Sequence, residues 1–354
     1  MTDSMNGETN HSENHLGMNV SSATPYFNFY NFTGVGASGG GSVTRSNGYG
    51  LTDTAGLLAP GTTIPSFRDV YGNGRIFGSY DAGRFLPTNQ DLLFNGFFRY
   101  GRDDITLGAI TGFPAASAGS LQTDTYTFGG SFRYKINTMY LGGGAVFDFG
   151  HGNETINVDS STGSFNIHGY STDFWLGNVF MLLNTITSGN PGMPTKAPPK
   201  PAWGYAVGLD VSGHLRYNNQ GTDGFTDSTG FIFGTGQTRY GDVGGRVKLF
   251  AIIPNNGWLW MPYVAGTVDQ QFGFSSSLNI PNQAALAGGD LLSLQEAQTF
   301  LGTELGIDVH GPNGWTVGAK GFYQASTDTN IVGGRAFIKI PLDYSPKPAW
   351  GARY

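Results

Sequence analysis

The feature that most constrains this chain is a period-two alternation held over runs of ten residues and more. In 125–136 the even positions are Tyr126, Phe128, Gly130, Phe132, Tyr134 and Ile136, and the odd ones are Thr125, Thr127, Gly129, Ser131, Arg133 and Lys135. In 203–217 the odd positions are Trp203, Tyr205, Val207, Leu209, Val211, Gly213, Leu215 and Tyr217, with Asp210, Ser212, His214 and Arg216 among those between them. In 299–310 Leu301, Thr303, Leu305, Ile307 and Val309 alternate with Gly302, Glu304, Gly306, Asp308 and His310. A period of two places the two sets on opposite faces of a β-strand.

Alternation alone fits a soluble sandwich as well as a barrel. Strand length separates them: these runs cover roughly 10 to 15 residues, against about 5 or 6 for soluble strands and about 9 to 11 for a tilted membrane-spanning strand. Aromatic residues also gather at run ends, at Tyr100, Tyr134, Tyr140, Trp203, Tyr217, Trp258, Trp260, Trp315 and Tyr323, as interfacial girdles do. The polar face carries both signs of charge, which suits a wet lumen. Charged residues make up 12% of the chain, where a soluble domain carries about 25%. No run of about 18 apolar residues is present, so no transmembrane helix is expected. The sequence therefore predicts an all-β, transmembrane, antiparallel up-and-down barrel.

Strands are expected near 75–85, 91–101, 103–114, 124–136, 138–149, 165–182, 203–217, 237–250, 257–273, 298–309, 314–325 and 331–342. Connections at 102, 137, 251–256 and 310–313 are short, and those at 115–123, 150–164, 218–236, 274–297 and 326–330 are longer. Barrels have short periplasmic turns and longer external loops, so both barrel ends are expected on the periplasmic side. The Pro-rich connection 183–202 breaks that alternation. It ends in Pro199–Lys200–Pro201–Ala202–Trp203–Gly204, repeated at Pro346–Lys347–Pro348–Ala349–Trp350–Gly351. A duplicated strand start and a docking motif both fit the repeat. The domain reading is a flexible Gly/Ser/Asn-rich leader over 1–72, a barrel over 73–342 and a tail over 343–354. Within the leader, Pro25–Phe32 is the ordered-looking island. Met1–Met18 lacks the basic and apolar regions of an export signal.

From about residue 75 to 342 the chain resembles the C-terminal translocator barrel of autotransporters, the type V secretion proteins. The resemblance rests on the Gly- and aromatic-rich alternation, the run Trp258–Leu259–Trp260–Met261–Pro262–Tyr263–Val264 and the last strand Gly334–Arg335–Ala336–Phe337–Ile338–Lys339–Ile340. It implies a twelve-stranded barrel in the outer membrane of a Gram-negative bacterium, a segment threaded through the lumen, and a passenger exported from the N-terminal side. Outer-membrane lipid and the barrel-assembly machinery are the implied partners, with the chain's own N-terminal segment in the lumen. Such barrels end on a closing aromatic; here twelve residues follow Leu342. A small diffusion channel, and an adhesin acting through loops 150–164, 218–236 and 274–297, are the competing functions.

No enzyme, cofactor or metal chemistry is expected. His214 shares a strand face with Ser212, Asp210 and Arg216, but same-face neighbours on one strand lie about 7 Å apart, beyond the roughly 2.6–3.2 Å of a nucleophile–base hydrogen bond. His11 and His15 fall in the leader, His168 at a strand start and His310 at a turn. Asp223–Gly224 and Asp227 read as turn residues rather than calcium ligands. A net charge of −6 without basic clusters argues against nucleic acid. The absence of cysteine removes disulfides and thiolate metal sites. The candidate functional set is the charge expected to line the lumen. Its bases are Arg99, Arg133, Lys135, Arg216, Arg246, Lys248, Lys320, Arg335 and Lys339. Its acids are Asp148, Asp173, Asp210, Asp242, Asp269, Glu304 and Asp308. These could set ion selectivity, grip a threaded segment, or pair across the lumen as structural bridges. The stretch 282–296 has a helical look and is read as an external helix or an inward-folded cap.

Overall fold

The computed structural model describes residues 33–47, 51–53, 66–87, 90–108, 119–157, 160–186, 204–255, 258–280, 290–294, 297–311 and 314–342. Twelve long antiparallel strands form one closed ring. In chain order they are β1 Gly34–Ser46, β2 Phe67–Asp81, β3 Gln90–Leu107, β4 Gly119–Ile136, β5 Met139–Ile156 and β6 Ser161–Asn184. The second half comprises β7 Ala206–Thr222, β8 Gly236–Asn255, β9 Trp258–Ile280, β10 Thr299–His310, β11 Thr316–Ala325 and β12 Thr329–Pro341. Each strand pairs with its sequence neighbours, and β1 pairs with β12 to close the ring. Closure leaves no sheet edge to satisfy, which is what permits a sheet to stand in hydrocarbon.

The seam shows where the sequence-based boundaries need correction. β1 lies inside the span assigned to the leader, so the barrel begins at Gly34 rather than near residue 73. Its inward face is Gly34, Gly36, Ser38, Gly40, Ser42, Thr44 and Ser46, and its outward face holds only Val35, Ala37 and Val43 as apolar side chains. So few large residues leave no hydrophobic alternation to read. The count of twelve is nevertheless reached, because the two strands expected at 91–101 and 103–114 are one, β3. Arg102 is an outward-facing strand residue, not a turn. Leader residues 1–32, 48–50 and 54–65, the Pro-rich loop 187–203, the second copy of the repeated hexapeptide and the tail 343–354 lie outside the described residues.

Inward and outward sets sort as alternation requires. Outward positions hold exposed apolar side chains such as Ile76, Phe128, Phe147, Leu176, Val247, Leu305 and Ile338. An apolar exterior around a ring of tilted strands is the surface of a membrane barrel. The interior is a packed core in two regions. Phe77, Tyr140, Val179, Ala206, Phe250, Ile252, Leu259, Met261 and Tyr263 belong to one buried apolar cluster, weighted toward the end where β1 begins and β12 stops. Charged and hydroxyl side chains dominate beyond it. Glycines let inward aromatics lie flat against the wall: Gly208 sits directly opposite Phe250, whose ring occupies the space a Cβ there would need.

The end at which the chain enters β1 is called the terminal end below, and the opposite one the loop end. At the terminal end β4 and β5 are joined by a tight turn at Asn137–Thr138, where Asn137 takes a left-handed φ of 54°, while β2 and β3 are joined through a 3-10 turn at Gly83–Phe85. At the loop end the strands run past the expected band. β5 and β6 together absorb most of the expected loop 150–164, and β9 continues to Ile280. A short strand Asp290–Leu294 pairs with Ser276–Ile280 and with Leu51–Asp53. Part of the stretch read as helical is therefore extended. Its apolar run is too short for periodicity to tell helix from strand. Pro262 sits inside β9, opposite Ile307 of β10. On its other side the ladder to β8 is interrupted between Phe250–Tyr263 and Ile253–Trp260 and resumes in the same register. The missing N–H costs a local gap, not the strand.

Candidate functional site

Most charged side chains of the described strands converge inside the barrel, in rows set by strand register. All sixteen residues of the expected lumenal set occupy inward positions: Arg246, Lys320 and Arg335 are half-buried and the rest are buried. The sequence reading omits several further inward charges. Arg75, Asp69 and Asp81 lie on β2, and Asp91 and Asp103 on β3. Asp91 and Asp103 share the parity of Arg99, so a single strand over 90–107 would have disclosed both.

One row crosses β3, β4 and β5. Arg99, Thr127 and Asp148 are consecutive in-register partners. Arg99 Nη2 donates to Thr127 Oγ1 at 2.8 Å and to Asp148 Oδ1 at 3.4 Å, and the Thr127 hydroxyl donates to Asp148 at 2.5 Å. A second row crosses β6, β7 and β8. Arg216 is paired in register with Asp173 on one side and Asp242 on the other. Its Nη1 lies 3.2 Å from Asp242 Oδ2, and its Nε lies 3.9 Å from Asp173 Oδ2. Next to this row, His214 Nε2 is 3.1 Å from carboxylate oxygens of both Asp242 and Asp269. Closer to the terminal end, Lys248 Nζ lies 3.4 Å from Asp210, which also accepts from the Tyr140 hydroxyl at 2.7 Å. Arg246 Nη2 and Lys320 Nζ share Glu304, at 2.6 and 3.8 Å.

These rows explain how so much charge is buried. Asp148, Asp173, Asp210, Asp242 and Glu304 each meet a Lys or Arg on an adjacent strand or the next but one, and Asp269 meets His214. Removing a charge from water costs several kcal/mol unless it is paired and hydrogen-bonded. His214, Asp242 and Asp269 also present three ligand-type atoms within 4.8 Å of one another. They come from three strands, so no sequence spacing reveals them. Both carboxylates are already matched by His214, and Asp242 also by Arg216, so the set closes on itself as an ion-pair network. Ser212 is not among the partners of His214 given by the geometry. His310, expected at a turn, is instead the buried last residue of β10, its Nδ1 2.7 Å from Thr316 Oγ1 on β11.

At the loop end a short hairpin turns back over the wall. Phe225–Thr226 pairs with Ile232–Phe233. Phe225 stacks on Phe233 at 4.7 Å and packs on inward-facing Phe165 at 5.3 Å. The Ser228 N–H donates to the Thr162 carbonyl at 2.8 Å. Asp227 organises the turn, accepting from the N–H groups of Thr229 and Phe231, each at 2.9 Å, and from the Thr229 hydroxyl at 2.7 Å. Burial acts to raise its pKa, but these hydrogen bonds prevail and hold it below the ordinary carboxylate value. The carboxylate serves the turn, as the sequence reading expected of these loop acids.

No protein-family model matches the sequence, and no curated protein matches it. Solved structures do. The transport unit of the autotransporter AIDA-I from Escherichia coli superposes with a TM-score of 0.67 at 12% identity, over 96% of this chain and 97% of that one. The translocator domain of the autotransporter NalP from Neisseria meningitidis gives 0.60 at 14% identity, over 96% and 97%. The β domain of the Bordetella autotransporter BrkA gives 0.58 at 13%, over 88% and 100%. The chain thus has the fold of autotransporter translocator barrels, spanning nearly the whole length of each.

Proposed function

We propose that the protein is an outer-membrane barrel of a Gram-negative bacterium that acts as an autotransporter-type translocator or surface anchor. The observation that carries this reading is the closed twelve-stranded ring with an apolar exterior and a densely paired interior, in the same fold as three translocator units. The chain enters the wall at Gly34, at the terminal end, the end from which a threaded segment would enter. The lumenal rows Arg99–Thr127–Asp148 and Asp173–Arg216–Asp242 are proposed to shape the passage and hold the chain's own N-terminal segment. Lipid surrounds the wall, and the barrel-assembly machinery inserts it. In this orientation the terminal end is periplasmic and the loop end external.

A diffusion channel is the competing reading, and conductance separates the two. In planar bilayers the full-length chain is expected to show brief, small openings, because Arg216, Lys248 and Lys339 are almost wholly buried inside. A steady open pore would sink the translocator reading. In whole cells, an epitope inserted N-terminal to Gly34 should become accessible to external protease. An epitope protected on intact cells but cleaved in spheroplasts would refute export through this barrel.

A further inference from the structure

Charge on the outer wall is confined to one half. Toward the terminal end, the described outward strand positions hold no charged residue: Val35 and Ala37 on β1, Ile76 and Tyr80 on β2, Ile338 and Ile340 on β12 are representative. The outward basic residues of the strands, Arg45, Arg68, Arg102 and Arg239, all lie toward the loop end. Arg102 is matched locally, 3.7 Å from Asp104 and 3.9 Å from Asp124.

Arg45 and Arg68 are different. They are direct cross-strand partners on β1 and β2, both exposed on the same face. Among the described residues neither forms an ion pair. Side chains so placed have Cβ atoms about 4.5–5.5 Å apart, and like charges in that position repel. Asp104, diagonal to Arg68, is taken by Arg102 and by Gln122, whose Nε2 donates to it at 2.6 Å. The next outward row toward the middle of the wall is Val43 opposite Val70, so the two guanidiniums stand where the apolar band ends. On the other side of Arg45 lies Asn330, which accepts from the Tyr323 hydroxyl at 2.8 Å. An amide and two adjacent guanidiniums therefore form one row at the edge of the apolar band, and the hydroxyl of Tyr323 reaches it from the row below.

A pair of exposed arginines beside lipid calls for an anion that lipid supplies. The planar guanidinium fork matches phosphate bidentately. We infer that Arg45 and Arg68 bind the phosphorylated headgroup of an anionic glycolipid in the leaflet around the loop end. This rests on the proposed membrane placement, with the loop end external. The bound phosphate offsets the repulsion between the two arginines and fixes a lipid against the β1–β2 wall, one strand from the seam.

The test is a binding titration of the full-length barrel in nanodiscs, read by native mass spectrometry. The probes are a bisphosphorylated acyl-disaccharide, its dephosphorylated form, phosphatidylglycerol and inorganic phosphate. Arg45→Gln/Arg68→Gln is expected to bind the bisphosphorylated glycolipid about tenfold more weakly, the loss of one charge-assisted hydrogen bond or more. Arg102→Gln should bind it as the parent does, and the dephosphorylated lipid should not distinguish the variants. Heat-modifiable migration on gels establishes that each variant is folded. Should the double variant misfold, Arg45→Gln alone must still show the loss. Equal affinity of parent and variant for the glycolipid overturns the site. Equal competition by inorganic phosphate overturns the lipid assignment. A preference for phosphatidylglycerol that still depends on both arginines overturns the outer-leaflet placement while keeping a headgroup site. Failure of the translocation assay alone would leave this binding intact.

Discussion

Arg216 on β7 and Asp242 on β8 are paired directly in register, with Nη1 and Oδ2 3.2 Å apart and both side chains about 1% exposed. Such a pair is expensive to break from one side, because the surviving charge stays buried. Arg216→Gln is expected to destabilise the barrel by about 3–5 kcal/mol. It should also lower the temperature at which the folded form converts to the slower-migrating unfolded form on gels. Arg102→Gln, at an exposed pair, should shift it by about 1 kcal/mol or less.

Gly208 and Phe250 make a steric prediction. A methyl group at 208 would lie well inside the van der Waals contact distance of Phe250 Cζ. Gly208→Ala should cost about 1–3 kcal/mol in urea unfolding from lipid vesicles, the usual penalty for overpacking. Adding Phe250→Leu should return part of it. An additive double variant would show that the ring is not what excludes the methyl.

Tryptophan position reports which face meets lipid. Trp260 points outward and is 40% exposed, while Trp175 is inward and 8% exposed. In single-tryptophan variants reconstituted into brominated lipid, Trp260 fluorescence should be quenched strongly and Trp175 little. The reverse order would invert the assignment of faces along β6 and β9.

Asp227 gives a pH dependence at the loop end. Its pKa is lowered in the folded turn, so its contribution is fully present above the unfolded value of about 3.9 and is lost as pH falls through the folded one. By NMR the amides of Thr229 and Phe231 should titrate together with a midpoint below about 3.9. Both titrations should vanish in Asp227→Ala. A midpoint above that value would mean the hydrogen bonds do not hold the carboxylate charged.

Legibility in the sequence followed side-chain size. Strands with bulky outward residues, such as β4 and β10, could be read nearly to their ends, and their parity placed Arg133, Lys135, Glu304 and Asp308 inward. β1 was invisible because glycine and serine carry no alternation. The polar run Gly101–Arg102–Asp103–Asp104 reads as a turn inside β3, although Arg102 and Asp104 are the outward polar rim of one strand. The charge rows were legible as residues but not as partners. His214, Asp242 and Asp269 meet only through the register of three strands. Arg45 and Arg68 are separated by 23 residues and become neighbours only when β1 is recognised as a strand.

The inward face of β1 carries nothing larger than threonine, yet its ladder to β12 is continuous, extended by the Leu342 N–H to Thr33 at one end and the Asn47 N–H to Asp328 at the other, each at 2.9 Å. The joint that closes the cylinder therefore works like a zip with smooth teeth. Peptide groups fasten it along its whole length, while few side chains interlock to fix its setting. Sliding β1 by two residues would keep small residues inside but would take Gly36 from beneath the Phe77 ring, which fills the space of a Cβ there, and Ser38 from Arg75 and Arg335, so its setting rests on those few contacts. Any force that parts the wall between the first strand and the last meets a joint held by peptide groups and a handful of side chains.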